Sequence, residues 1–93
     1  MKNEIVRKIV EREFLAALAQ NDVTLEGEIS PDLPLLGSGL DSLGFAILVT
    51  TLEDTLGYDP FTLMEEAVYP RTYLEFVDIY LKFSDNLSED VSA

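Results

Sequence analysis

The run Leu36-Gly37-Ser38-Gly39-Leu40-Asp41-Ser42-Leu43 holds the two hydroxyls best suited to covalent chemistry in this chain of 93 residues. A serine attacks as a nucleophile when a positioned base takes its proton, and histidine is the usual base. The sequence has no His and no Cys. That removes a self-contained serine hydrolase, a thiol enzyme, disulfides and any imidazole or thiolate metal site. Carboxylates alone can bind calcium, but there is no Asp-x-Asp-x-Asn-Gly loop. A phosphate-cradling loop is disfavoured too, because the run lacks a lysine, a preceding strand and a complete Gly-x-Gly-x-x-Gly. No catalytic residue and no metal ligand is therefore expected. On local sequence the run reads as a glycine turn ending in an Asp helix cap.

The elements that position the run follow from periodicity. Ile5, Ile9, Val10, Phe14, Ala17 and Leu18 recur at helical spacing over residues 3–20, with Asn3 as N-cap and Glu4–Lys8 as a supporting pair. Residues 21–40 contain Asn21, Gly27, Pro31, Pro34, Gly37 and Gly39, too many breakers for a regular element. A loop of this length is commonly functional or packed down by its own side chains, here Val23, Leu25, Ile29, Leu33, Leu35 and Leu36. The second helix is placed at 42–56, between an Asp41 N-cap and a Gly57 C-cap. Its buried stripe is Phe45, Leu48, Val49, Leu52 and Leu56, which leaves Gly44, Ile47, Thr51 and Asp54 on the opposite face. Thr62-x-x-Glu65 and Thr72-x-x-Glu75 read as capping boxes. They open a short helix over 62–68, stopped by Pro70, and a last helix over 73–83 with Tyr73, Phe76, Val77, Tyr80 and Leu81 on one face. The fold class is all-α: a four-helix bundle of three longer helices and one short third helix, with a long first loop. There is no strand signal and no internal repeat. Residues 1–83 make the helical domain, and the Ser- and acid-rich residues 84–93 read as a flexible acidic tail.

Charge narrows the partners. Six basic residues stand against eighteen acidic ones, for a net charge of -12. Four of the bases lie within the first thirteen residues, so beyond them only Arg71 and Lys82 offset the acids. Such a surface repels phosphate backbones, and no nucleic acid is expected as a partner. No apolar run is long enough to span a membrane, and charges break the N-terminal stretch before a signal-peptide core forms. A monomer in the cytoplasm is the expectation.

Gly39-Leu40-Asp41-Ser42-Leu43 resembles the attachment motif of acyl and peptidyl carrier proteins. In that family the serine of Asp-Ser-Leu receives a 4'-phosphopantetheine arm through a phosphodiester. Ser42 matches the modified serine, Asp41 the residue before it and Leu43 the residue after it. The resemblance extends over nearly the whole chain: an N-terminal helix, a Pro- and Gly-rich loop, the motif at the head of the second helix, Leu52-Glu53-Asp54-Thr55-Leu56-Gly57, a short acidic third helix and a capped fourth. Helix physics agrees, since an anion in the first turn meets unpaired N–H donors and the positive end of the dipole, worth about 0.3 to 1 kcal/mol. Ser38, between two glycines, does not match the motif and ranks below Ser42.

The resemblance implies a discrete carrier and no catalyst. It would be modified by a phosphopantetheinyl transferase and would deliver thioester-bound acyl or aminoacyl groups to acyl-activating or acyl-transferring enzymes with basic docking surfaces, as in fatty acid or polyketide biosynthesis. Asp41, Gly44, Ile47, Glu53, Asp54 and Glu66 are the implied partner contacts. The chain departs from the fatty-acid type in that the exposed face of its second helix offers Gly44, Ile47 and Thr51, with acids only at Asp41 and at Glu53 and Asp54. Glu65 and Glu66 continue the acidic strip. The alternative reading is a small acidic helical adaptor that docks a protein partner without a covalent cofactor.

Overall fold

The computed structural model describes residues 2–25, 27–37, 39–66 and 69–88. Helix α1 spans Lys2–Gln20 and buries Val6, Val10, Phe14 and Leu18, a strict i, i+4 line. Ile5, Ile9 and Ala17 flank that line half-buried, so Val6, absent from the sequence-based stripe, belongs to it. Asn3 is not the N-cap. It lies within the first turn, and its Oδ1 accepts a hydrogen bond from the Ser84 hydroxyl at 2.8 Å. Nor does Glu4 pair with Lys8; among the described residues the ion pair is Arg12–Glu13 at 3.3 Å. The helix ends on Asp22, whose positive φ of 62° lets the Val23 N–H reach back to the Leu18 carbonyl at 2.9 Å.

Helix α2, Ser42–Leu56, has the predicted bounds and caps: Asp41 accepts at the start, and Gly57, at φ 88°, closes the end. Leu48, Leu52 and Leu56 are buried, and Phe45 and Val49 pack half-buried beside them. Helix α3 is shorter and earlier than expected, at Pro60–Leu63. Asp59 caps it by accepting from the Phe61 N–H at 2.9 Å, Pro60 takes the first turn, and the Thr62 hydroxyl donates to the Asp59 carbonyl at 2.8 Å. Asp-Pro outcompetes Thr62-x-x-Glu65 because proline has no N–H to lose and its φ suits a helix start. Glu65 and Glu66 thus lie past the helix, exposed, and residues 67 and 68 of the expected span lie outside the described residues.

Helix α4, Tyr73–Lys82, starts at Thr72, whose Oγ1 accepts from the Glu75 N–H at 3.2 Å. The Glu75 carboxylate accepts from the Arg71 N–H at 3.4 Å, one residue earlier than a reciprocal box requires. The long first loop is fastened to this start. Leu35 N–H donates to the Arg71 carbonyl at 3.0 Å, Tyr73 N–H to Leu33 at 2.9 Å and Leu74 N–H to Pro31 at 3.0 Å. Among the described residues there is no strand, only isolated bridges of Pro34 with Thr72 and Leu36 with Leu40.

The domain also runs past the expected boundary at residue 83. Ser84–Asn86 form a 3-10 turn, Ser84 and Leu87 are buried, and the Ser88 N–H donates to the Leu56 carbonyl at 2.9 Å. Residues 89–93 of the expected tail lie outside the described residues. Helix α1 packs on both α2 and α4. Between α2, α3 and α4 the core is aromatic: Phe61 and Phe76 each contact the rings of Phe45 and Tyr80 and one another, with centroids 5.1 to 6.5 Å apart.

Candidate functional site

Ser42 is the first residue of α2, and its side chain is exposed. The residues around it hold the turn rather than the hydroxyl. Asp41 Oδ1 accepts from the Gly44 N–H at 2.7 Å, and the Asp41 carbonyl accepts from the Phe45 N–H at 2.9 Å. Among the described residues no partner is found for the Ser42 hydroxyl or for the N–H groups of Ser42 and Leu43. The first turn of α2 carries no acidic side chain, whereas α1 has Glu4 there and α4 has Glu75. An anion esterified to Ser42 would meet the N–H groups of Ser42 and Leu43 at the positive end of α2, where the Asp41 carboxylate is already engaged on the Gly44 N–H.

The approach to the hydroxyl is built by glycines and an upstream leucine. Gly37 and Gly39 sit at φ 99° and 113°, in the left-handed region that L side chains rarely adopt. At Gly39 a Cβ would also run into the Val23 side chain. Ser38, between them, lies outside the described residues. Leu40 turns inward and is buried, which plugs the bundle beneath the turn. Its place just before the N-cap is where a hydrophobic staple sits, a signal available in the sequence and not used. Leu36, expected to pack, is 57% exposed. Adjacent residues of an extended segment face opposite ways, and Leu35 has taken the inward side. An open recess bordered by Leu36, Gly37, Gly39, Leu40, Asp41 and Ser42 results.

The expected contact residues divide into separate places. Leu43, 70% exposed, and Ile47, 49% exposed, stand on α2 at the edge of a groove of about 210 Å³ between α2 and the end of α1. Asp41 and Gly44 border the same groove, opposite Ala16, Gln20 and Asn21. Gly44 is half-buried, and the room of its missing side chain is taken by the chain itself: a Cβ there would lie 3.1 Å from both Asp41 Oδ1 and Leu40 Cδ1. The N-cap geometry is thus reason enough for a glycine at 44. Glu53 and Asp54 are exposed near the far end of α2. Glu66 borders another recess with Met64, Lys82 and Phe83, away from Asp41. Tyr69, 81% exposed, was not singled out from the sequence, and it borders a further recess with Leu36 and Arg71.

Among the described residues no group of three or more acidic side chains is arranged to hold a metal, and no helix is long and apolar enough to cross a membrane. Three tyrosines are perturbed by burial. Tyr58 and Tyr73 are pushed up to about 12, and Tyr80 is pushed further, all far from Ser42 in role and none suited to proton transfer at neutral pH.

Comparison with known proteins gives one match. The family model described as the phosphopantetheine attachment site matches residues 12–63, from within α1 through the loop, Ser42 and α2 to the last residue of α3. No curated protein and no solved structure matches. The matched stretch is more than half of the chain, and members of this family are carriers that hold 4'-phosphopantetheine on a serine. With the helix-capped, exposed serine turn at its centre, this chain belongs to the phosphopantetheine-attachment family.

Proposed function

We propose that Ser42 is the serine that bears the 4'-phosphopantetheine arm, and that the chain carries acyl or aminoacyl groups between partner enzymes. The observation that carries the reading is the exposed, unpartnered Ser42 hydroxyl at the head of α2, inside the family match. When bound, the arm supplies a terminal thiol on which a cargo is held as a thioester. The chain's own part is presentation. Asp41 spends its carboxylate on the Gly44 N–H and so holds the turn that puts the Ser42 hydroxyl outward. The N–H groups of Ser42 and Leu43 are left to face the phosphodiester. Gly37, where a side chain would meet only open space, keeps the approach low for the modifying enzyme.

In the modification, Ser42 Oγ bonds to the phosphorus that bears pantetheine in coenzyme A, and adenosine 3',5'-bisphosphate leaves with the pyrophosphate bridge oxygen. The hydroxyl proton goes to a base of the transferase, since this chain offers no histidine. Asp41, Glu53, Asp54 and Glu66 suit partners with basic docking surfaces, and the exposed Leu43 and Ile47 offer them an apolar hold.

The test is direct. Apo protein incubated with coenzyme A and a broad-range phosphopantetheinyl transferase should gain one arm, and peptide mapping should place it on Ser42. Ser42→Ala should gain none. An adduct that persists in Ser42→Ala, or no adduct with several transferases, would count against the assignment. A plain adaptor module would show no adduct in either protein.

A further inference from the structure

A group tethered at Ser42 that turned inward would descend α2 along the half-buried positions three and seven residues further on, Phe45 and Val49. Its way into the bundle lies between α2, α3 and α4, and rings occupy that space. Phe61, from the short α3, meets Phe45 of α2 edge-on at 6.4 Å, Tyr80 of α4 edge-on at 6.0 Å, and Phe76 of α4 in a stack at 6.5 Å. Phe45 and Phe76 are 5.6 Å apart across α2 and α4. Below them the buried Tyr58 hydroxyl donates to the Tyr80 carbonyl at 2.7 Å and fastens the end of α2 to α4. The Tyr80 hydroxyl, also buried, has no hydrogen-bond partner among the described residues. It gives the interior a polar atom where an alkyl chain would need apolar lining. The openings near this turn are the recess that Ser42 borders with Leu36 and Leu40 and, beside Asp41 and Leu43, the shallow groove against α1, whose rim mixes Glu13, Gln20 and Asn21 with Ala16 and Ile47.

Resting on the reading that Ser42 bears the arm, we infer that the cargo stays outside the bundle: the Phe45–Phe61–Phe76–Tyr80 cluster closes the interior to an acyl chain. The carrier is thereby fitted to short acyl or aminoacyl groups, which need no shelter from water, and not to long alkyl chains. Burying a chain would require prying apart rings already packed against one another, and a close-packed core yields no such room without losing those contacts. Phe61 is the member that decides, because it alone bridges α2 and α4 from a helix of four residues.

The test needs no transferase. Ser42→Cys places a single thiol in a chain that has no cysteine, and N-methyl- and N-octylmaleimide then attach a short or a long apolar group at that position. With the rings intact, the two adducts should melt at the same temperature, and the NMR resonances of Phe45, Phe61, Phe76 and Tyr80 should not move with chain length. In a Phe61→Ala background the octyl adduct should melt roughly 4 °C or more above the methyl adduct, because the chain fills the vacated volume. Phe61→Leu serves in the same way should the alanine variant fail to fold. An octyl adduct that stabilises the protein with its rings intact and shifts their resonances would overturn the inference. So would equal indifference in the Phe61 variants, since the rings would then not be what keeps the chain out. Failure of a transferase to modify Ser42 would bear on the arm alone and leave these outcomes readable.

Discussion

Asp41 Oδ1 lies 2.7 Å from the Gly44 backbone nitrogen and brackets Ser42 between the two residues. The bond satisfies a donor that the first turn of a helix otherwise leaves open, and it fixes the backbone from which the Ser42 hydroxyl projects. Asp41→Ala should therefore cost about 1 kcal/mol of stability, measured by urea unfolding. Asp41→Asn retains an acceptor and should keep most of that stability. If both variants slow modification of Ser42 equally, the transferase reads the Asp41 charge, which both have lost. If Asp41→Asn alone retains the wild-type rate, the turn is what the transferase reads, since charge is lost and geometry is not.

Leu52 is fully buried in the middle of α2 and belongs to the same core as Phe76. Leu52→Ala should lose about 2 to 5 kcal/mol through lost burial and a residual cavity. Chemical denaturation measures it, and a loss under about 1 kcal/mol would be the response of a surface site.

Partner association should separate into steering and holding. Glu53 and Asp54 are exposed near one end of α2, and Ile47 is half-exposed at the lip of the groove nearer Ser42. Charge reversal at Glu53 and Asp54 should slow association with the transferase, with an effect that fades as salt rises, because exposed charges are screened over about 8 Å at physiological ionic strength. Ile47→Ala should speed dissociation at every salt concentration, since a desolvated apolar anchor acts on the off-rate. Surface plasmon resonance distinguishes the two, and unchanged kinetics for Ile47→Ala would remove the apolar half of the proposal.

Alkaline pH should unfold the protein through its buried tyrosines. Burial raises the Tyr58 and Tyr73 hydroxyls to about 12, against about 10 in an unfolded chain. Below pH 10 both states keep these protons and the contribution is constant. Between about 10 and 12 the unfolded chain releases them while the folded chain holds them, so stability falls as pH rises. For Tyr73 the Glu11 carboxylate adds to the burial effect and Arg7 opposes it. Urea midpoints should be level from pH 7 to about 9.5 and drop beyond it. Tyr73→Phe should leave the level part nearly unchanged and make the drop shallower, and an unaltered drop would show that Tyr73 titrates normally.

Local chemistry determined most of what surrounds Ser42. Asp41 and Gly57 were legible as the ends of α2 because an N-cap and a left-handed C-cap are short-range requirements written in single residue types. Thr72 was legible as the start of α4 for the same reason. The apolar stripe Phe76, Val77 and Tyr80 followed from helical period, and all three are buried. Absence of His and Cys excluded whole classes of chemistry outright. Local rules erred where two of them competed. Thr62-x-x-Glu65 was read as the helix start, and the fold uses Asp59-Pro60 three residues earlier, where proline suits the first turn. Asn3 had the right type for a cap, but its side chain is engaged by Ser84, a contact across the whole length of the chain that no local pattern contains. The sequence likewise offered six apolar loop residues for packing without ranking them. The backbone bonds from Leu33 and Leu35 to the start of α4 decided that Leu35 faces inward and Leu36 outward beside Ser42. Gly44, placed by its spacing on the exposed face, is half-buried in the fold, and Asp41 and Leu40 crowd the place of a side chain there. Whether the interior admits a cargo was the least legible of all, because it depends on where Phe45, Phe61, Phe76 and Tyr80 from three separate helices converge. Caps and periods act within a few residues, whereas convergence of distant side chains is fixed only when the helices pack.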